Sequence, residues 1–347
     1  MSLNENLEEL SNVCGVTGRE EEARNLLIKL MKPYADEIGV DRLENVIAIK
    51  KGKKSKPKIM LAAHMDEVGL MVKTVTKEGF LQFAKMGGID DRILLAQKVL
   101  VHTQKGTLQG IVGSKPPHIQ KEDERKKVVT YDKLFIDIGA ENNKEAAKMG
   151  VKVGDPISFD VKYAKIGKDV VTGKAFDDRA GCAVMIETLK QLESTECTVY
   201  AVGTVQEEVG LRGAATATFG VDPDIGIALD VTIAGDVPGV SDFDTSLKMG
   251  KGPVFTVADS GLITNPKILR LLLDAAEESN IPCQLETGLP GATDAARMSL
   301  TRQGVPSGTI SIATRYIHSP VGMLSLKDVE NSAKLTVAAI QKIQKTF

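Results

Sequence analysis

Residues 197–213 read CTVYAVGTVQEEVGLRG, and the first nine of them decide how the rest of the chain is read. Their β-branched and apolar side chains, unbroken by charge, describe a strand buried on both faces, and the glycine-punctuated stretch after them describes a loop. Two adjacent carboxylates, Glu207 and Glu208, stand at the junction.

Immediately upstream, AGCAVMIETLKQL (180–192) puts Cys182, Met185, Leu189 and Leu192 on one helical face. Downstream, DIGIALDVT (224–232) reads as another buried strand and NPKILRLLLDAAEESN (265–280) as another helix. ATDAARMSLTRQG (292–304) has Thr293 as a helix N-cap and Gly304 as a stop, and VPSGTISIAT (305–314) follows as a strand. The last helix starts at Ser325 with Asp328 three residues on, and turns Val329, Ala333, Val337 and Ile340 inward. Toward the N-terminus come two short helical patterns, the second at EEEARNLLIKLM (20–31), and the strands ENVIAIKKG (44–52) and PKIMLAAH (57–64). Strands alternating with helices imply an α/β fold with a largely parallel sheet, covered by helices on both faces.

Between residues 67 and 165 the texture changes. GLMVKTVTKEGFLQF, KVLVHTQKGTLQGIVG, KLFIDIGA and DPISFDVKY are short β-rich pieces between glycine-bearing turns, with one short helix, NNKEAAKM, ending at Gly150. The expectation is a small β-barrel domain at 67–165 inserted into an α/β domain made of residues 1–66 and 166–347. A chain of 347 residues with 42% hydrophobic content is long enough for two such domains.

Composition limits the function classes. With 44 basic and 46 acidic side chains and a formal charge of −2, the chain lacks the broad positive field that draws proteins to nucleic acid or anionic membranes. Cys14, Cys182, Cys197 and Cys283 are scattered without metal-binding or disulfide spacing and read as core residues of a reducing compartment. A polar, acidic N-terminus and the lack of any run near the ~18 apolar residues of a membrane span lead to the expectation of a soluble, cytoplasmic protein.

Parallel sheets present ligands at the carboxyl ends of their strands, and that is where His and carboxylate groups gather. His64 and Asp66 end one strand, Glu207 and Glu208 the next, Asp230 and His318 two more, and Asp177 and Asp178 occupy a turn that opens a helix. A nitrogen and oxygen donor set without thiolate suits Zn²⁺, Co²⁺ or Mn²⁺, and the inventory suffices for two ions sharing a carboxylate. Each group also has an ordinary reading: Asp-Asp as a helix cap, Glu-Glu as an exposed corner, and His102 as a hydrogen-bonded residue. His118 lies in a stiff Pro-Pro loop that could reach an active site.

The stretches AAHMDEVGLMV, GSKPPH, GKAFDDRAG, VQEEVGLRGA, ALDVT, GATDAARMS and TRYIHSP resemble, in this order, the signature segments of the tetrahedral and glutamyl aminopeptidase family of co-catalytic metallopeptidases. The resemblance implies a zinc-peptidase α/β domain interrupted by a barrel used in assembly, and dimers that build a hollow dodecamer. It implies one metal held by Asp178, Glu208 and His318 and a second by His64, Asp178 and Asp230, with Asp178 as the bridge. Glu207 becomes the general base, and Asp66 accepts the His64 imidazole N–H and fixes its tautomer. Adjacent residues at a strand end diverge, so Glu208 can face metal while Glu207 faces the attacking water. Asp177 is left as a supporting residue or helix cap.

Two positions depart from the family pattern: Ala313 where proline is expected and Ala292 where a second glycine is common. The implied substrates are short peptides with a free N-terminus, and the preferred N-terminal residue is open among glutamyl, leucyl and lysyl. Rival readings are a dimetal deacylase on the same fold, a glycoside hydrolase using two carboxylates without metal, and an assembly protein that has kept the fold.

Overall fold

The computed structural model describes residues 1–346. Two helices, α1 (Leu3–Asn12) and α2 (Glu21–Met31), precede strands β1 (Glu37–Val40), β2 (Val46–Lys50) and β3 (Lys58–His64). Strands β4 (Gly69–Val75), β5 (Leu81–Met86), β6 (Lys98–Thr103) and β7 (Gly106–Gly113) follow, then α3 (Glu122–Arg125), β8 (Phe135–Asp137), α4 (Asn143–Met149) and β9 (Pro156–Phe159). These six strands close a barrel in the order β4-β5-β8-β7-β6-β9. All its neighbours are antiparallel, and it has its own core around Leu70, Leu81, Val101 and Ile136. Helix α4 is the short helix expected there, capped by Asn142 and stopped by Gly150 at φ +104°.

After β10 (Ala164–Lys165) and β11 (Val170–Gly173) the alternation resumes with α5 (Phe176–Gln191), β12 (Thr198–Thr204), α6 (Arg212–Val221), β13 (Ile225–Ile233) and β14 (Val254–Asp259). The chain ends with α7 (Pro266–Glu278), β15 (Gln284–Leu289), α8 (Asp294–Ser299), β16 (Ser307–Thr314), β17 (Gly322–Ser325) and α9 (Leu326–Thr346). An eight-stranded sheet runs β1-β2-β12-β3-β13-β16-β14-β15, and its central strands β12, β3, β13 and β16 are mutually parallel.

Strand β3 shows why those centre strands lack a polar face. Its Ile59, Leu61 and Ala63 enter the core shared with α5 and α9, while Met60 and Ala62 enter the core shared with α6 and α8. Each face of a parallel sheet carries helices, so both alternating sets are apolar. Helix α5 is the most enclosed of the described helices: Cys182, Met185 and Leu189 face inward as the pattern requires, but Ala183, Val184 and Ile186 are buried too.

Two local expectations shift. Thr293 caps α8 by accepting from Ala295 N–H, yet the helix stops at Ser299, before Gly304. Asp328 makes no capping box with Ser325; its carboxylate accepts from Gly250 N–H at 2.6 Å and Gly252 N–H at 2.9 Å, tying α9 to the loop before β14.

Candidate metal centre

Register brings the chemistry to one level. Strand β12 pairs with β3 so that Thr204 stands opposite His64, which puts Glu207 and Glu208 just past the strand end. Strand β13 pairs with β3 from Ile225 to Ala228 and then continues alone against β16. Asp230, two residues beyond Ala228, is therefore level with His64, and it sits inside β13 instead of at the strand end expected from sequence. His318 lies four residues after β16 ends, at φ +55°.

These groups converge on Asp177. Its Oδ1 is 3.0 Å from His64 Nε2 and its Oδ2 is 3.4 Å from His318 Nε2. Donor atoms of His64, Asp177 and Asp230 lie within 4.8 Å of one another, and so do those of Asp177, Glu208 and His318. Asp177 is the member common to both triads. Glu207 stands beside them, with Oε2 3.9 Å from His64 Nε2.

The resemblance gave that shared place to Asp178, and the geometry differs. Asp178 is fully buried, with Oδ2 accepting from His64 N–H at 3.1 Å and Oδ1 from Gly181 N–H at 2.9 Å. Both oxygens serve backbone amides, and Asp178 belongs to neither triad. The backbone at Asp177 (φ −82°, ψ 103°) and Asp178 (φ −122°, ψ 45°) is not helical, so the two side chains leave it in different directions. Close packing also explains Gly181: a Cβ there would come 2.5 Å from the Leu229 carbonyl and from Asp178 Oδ1.

Asp66 stands beside His64 and reaches further than that ring. His64 Nδ1 lies 3.1 Å from the Asp66 backbone carbonyl and 3.5 Å from its carboxylate. The carboxylate also accepts from Glu207 N–H at 3.0 Å, Glu208 N–H at 3.2 Å and the Thr17 hydroxyl at 2.9 Å. One residue thus orients the imidazole through its main chain and the glutamate pair through its side chain. Beneath it, Lys174 Nζ donates to Glu67 at 2.7 Å and Arg179 Nε to the Met65 carbonyl at 2.7 Å, which pins residues 65–67.

Two features of the barrel reach this centre. Gly88 offers its carbonyl to His318 Nδ1 at 2.8 Å. A Cβ on Gly87, at φ +85°, would come 3.2 Å from Glu208 Oε2. Neither glycine has a signature that sequence reasoning could use. Asp294 was missed as well, although it lies in the quoted GATDAARMS segment: it is 2% exposed, takes the Thr204 hydroxyl at 2.5 Å, and has Oδ1 without a partner among the described residues.

Burial and mutual repulsion make the ionised carboxylates of the site costly in the absence of a cation. Burial first, then neighbouring carboxylates, push Asp230 up to about 8 and hold Asp178, Glu207 and Glu208 well above the usual carboxylate range. Burial works against the His64 cation, but the Glu207, Asp177 and Asp66 carboxylates hold the imidazole well above its ordinary value. Burial likewise opposes the Asp177 carboxylate, yet His64 and His318 keep it below its ordinary value. Glu208 Oε1 is buried with no partner among the described residues. Mixed nitrogen and oxygen donors, several crowded buried carboxyl groups and an orphaned carboxylate oxygen fit divalent cations.

A cavity of about 490 Å³ opens over the triads, bounded by β13, β14, β15 and the loops carrying Glu207 and His318. Ala292 lines it, so this departure from the family pattern bears on the pocket, whereas Ala313 is buried within β16. His102 bonds the Ser158 hydroxyl on the outer face of the barrel, opposite the face that carries Val99, Val101, Ile157 and Phe159, and His118 is exposed and joins neither triad.

A TET aminopeptidase from the marine sediment archaeon Thaumarchaeota archaeon SCGC AB-539-E09 superposes with a TM-score of 0.96 at 45% identity, over 98% of this chain and 96% of that one. A lysyl aminopeptidase of Pyrococcus furiosus is 39% identical over 95% of this chain and 94% of its own length. The TET1 peptidase of Pyrococcus horikoshii, which can assemble into a tetrahedron or a large octahedral shell, matches with a TM-score of 0.89 at 35% identity, over 97% of this chain and 98% of that one. The model of the M42 glutamyl aminopeptidase family matches residues 44–335, and the chain belongs to that family.

Proposed function

We propose that this chain is a metal-dependent aminopeptidase that removes the first residue of short peptides, with Asp177 as the carboxylate shared by two metal positions. The observation that carries the reading is the pair of donor triads meeting at Asp177. One position is formed by Asp177, Glu208 and His318, the other by His64, Asp177 and Asp230. Zinc, cobalt and manganese all suit this donor set. Bound there, such cations supply Lewis acidity, which polarises a scissile carbonyl and acidifies a water.

Glu207 is the proton carrier in this reading. Its side chain borders the cavity, is 10% exposed and is not a member of either triad. Its N–H is fixed on Asp66, so the carboxylate is aimed before substrate arrives. It takes a proton from the attacking water and returns it to the departing amine, a role worth ~10²–10⁴-fold in rate. Glu207→Gln keeps the size and loses the base. We expect kcat on an aminoacyl anilide to fall at least ~100-fold with metal content by elemental analysis unchanged; a near-parental rate would end the assignment.

The chain divides, in this reading, into a catalytic domain of residues 1–66 and 166–347 and a barrel of residues 67–165 that serves assembly. Relatives that form closed shells support a homo-oligomer, which light scattering would measure. No described helix is long and apolar enough to cross a membrane.

A further inference from the structure

We propose that the cavity selects peptides whose N-terminal side chain is a cation, lysine or arginine, with Glu286 as the specificity-determining carboxylate and Asp259 in support. This rests on the aminopeptidase reading above and names its substrate class.

Six carboxylates line the cavity, and no lysine or arginine is among its described lining residues. Asp177, Glu207, Glu208 and Asp230 belong to the metal centre, and two divalent cations would balance those four charges. Asp259 and Glu286 are left over, on the far side of the cavity from the triads' supporting strand β3.

Glu286 is placed for recognition. Its Oε2 accepts the Thr232 hydroxyl at 2.6 Å and its Oε1 accepts the Thr256 hydroxyl. Each oxygen keeps a further acceptor position, so the two hydroxyls orient the carboxylate without consuming it. Thr232 is two residues beyond Asp230 on β13, and both line the cavity. Residues i and i+2 share a strand face about 6.6 Å apart. The carboxylate therefore lies one long side chain away from where the scissile bond must sit. Asp259 accepts from Gly261 N–H at 2.7 Å and Leu262 N–H at 2.6 Å, which fixes it at the end of β14.

The walls suit the stem of such a side chain. Leu211, Ile233 and Ile317 line the same cavity and would pack the methylenes of lysine or arginine while the head meets Glu286. An N-terminal leucine would strip water from Glu286 and return no partner. An N-terminal glutamate would meet a like charge.

The test is kcat/KM of the metal-loaded enzyme on lysyl, arginyl, leucyl and glutamyl anilides, with Glu286→Gln and Asp259→Asn alongside. Lysyl and arginyl substrates should lead, and Glu286→Gln should lower the lysyl-to-leucyl ratio by about 10- to 100-fold, mainly through KM. Asp259→Asn should lower the same ratio by less. A parent enzyme that favours leucyl or glutamyl substrates overturns the proposal. So does an equal loss on all four substrates, which would mean that Glu286 holds the α-ammonium group or the fold. Calorimetric binding of lysinamide against leucinamide to metal-loaded Glu207→Gln reads the preference without turnover. Tighter binding of lysinamide there supports the pocket assignment even if no anilide is cleaved, and that absence of cleavage would instead strike the aminopeptidase reading.

Discussion

Asp177→Asn and Asp178→Asn separate two carboxylates that share a peptide bond. Asp177 touches both imidazoles, so its amide variant should lose bound metal by elemental analysis and lose activity with it. Asp178 serves the amides of His64 and Gly181, so its variant should keep metal and lose stability, by ~1–3 kcal/mol for a weakened buried acceptor, measured by calorimetry. The opposite pattern would restore the bridge to Asp178. The sequence shows that a carboxylate pair opens α5 beside the other ligands; which of the two faces the ligands depends on dihedral angles at 177 and 178 that no residue type encodes. Asp66 teaches the same lesson. Its place beside His64 is legible, but that its carboxylate also accepts from the Glu207 and Glu208 amides depends on tertiary placement of the 207–208 loop.

At the scale of elements, the alternating helices and strands were readable because each buries a distinct periodic face, and β12 read as doubly buried for the reason seen in the two cores it enters. What periodicity does not carry is pairing. Asp230 meets His64 because β13 outruns β3 by several residues, a consequence of register. Helix α8 ends at Ser299, ahead of its glycine, and the chain continues to Gly304 through turns in which Thr301 N–H donates to the Met298 carbonyl and Gly304 N–H to the Thr301 carbonyl. The barrel's approach to His318 is likewise a tertiary fact. A Cβ on Gly88 would sit 3.2 Å from His318 Nδ1, the nitrogen that the Gly88 carbonyl holds. Gly88→Ala should push the ring aside and weaken the metal position of Asp177, Glu208 and His318, by about 10- to 100-fold in affinity measured against a competing chelator. Unchanged affinity would confine the barrel to roles away from the metal centre.

For the whole molecule, the site's crowded buried carboxyl groups set a pH dependence. Burial raises Asp230 to about 8 and Asp294 to about 6, and surrounding carboxylates raise His64. Without a cation, the folded chain holds more protons on these groups than the unfolded chain between about pH 4 and pH 8, so its stability falls as pH rises through that window. Chelated protein should melt at a lower temperature at pH 8 than at pH 5.5, and added zinc should raise the melting temperature more at pH 8. The chain has no tryptophan, so calorimetry is the suitable readout; a chelated protein that gains stability toward pH 8 would contradict the charge account. The central claim, two cations sharing Asp177, is tested most directly by anomalous diffraction from crystals grown with cobalt or zinc. The account predicts two peaks ~3.5–4 Å apart with the Asp177 carboxylate between them. A single peak, or a pair bridged by Asp178, would contradict it.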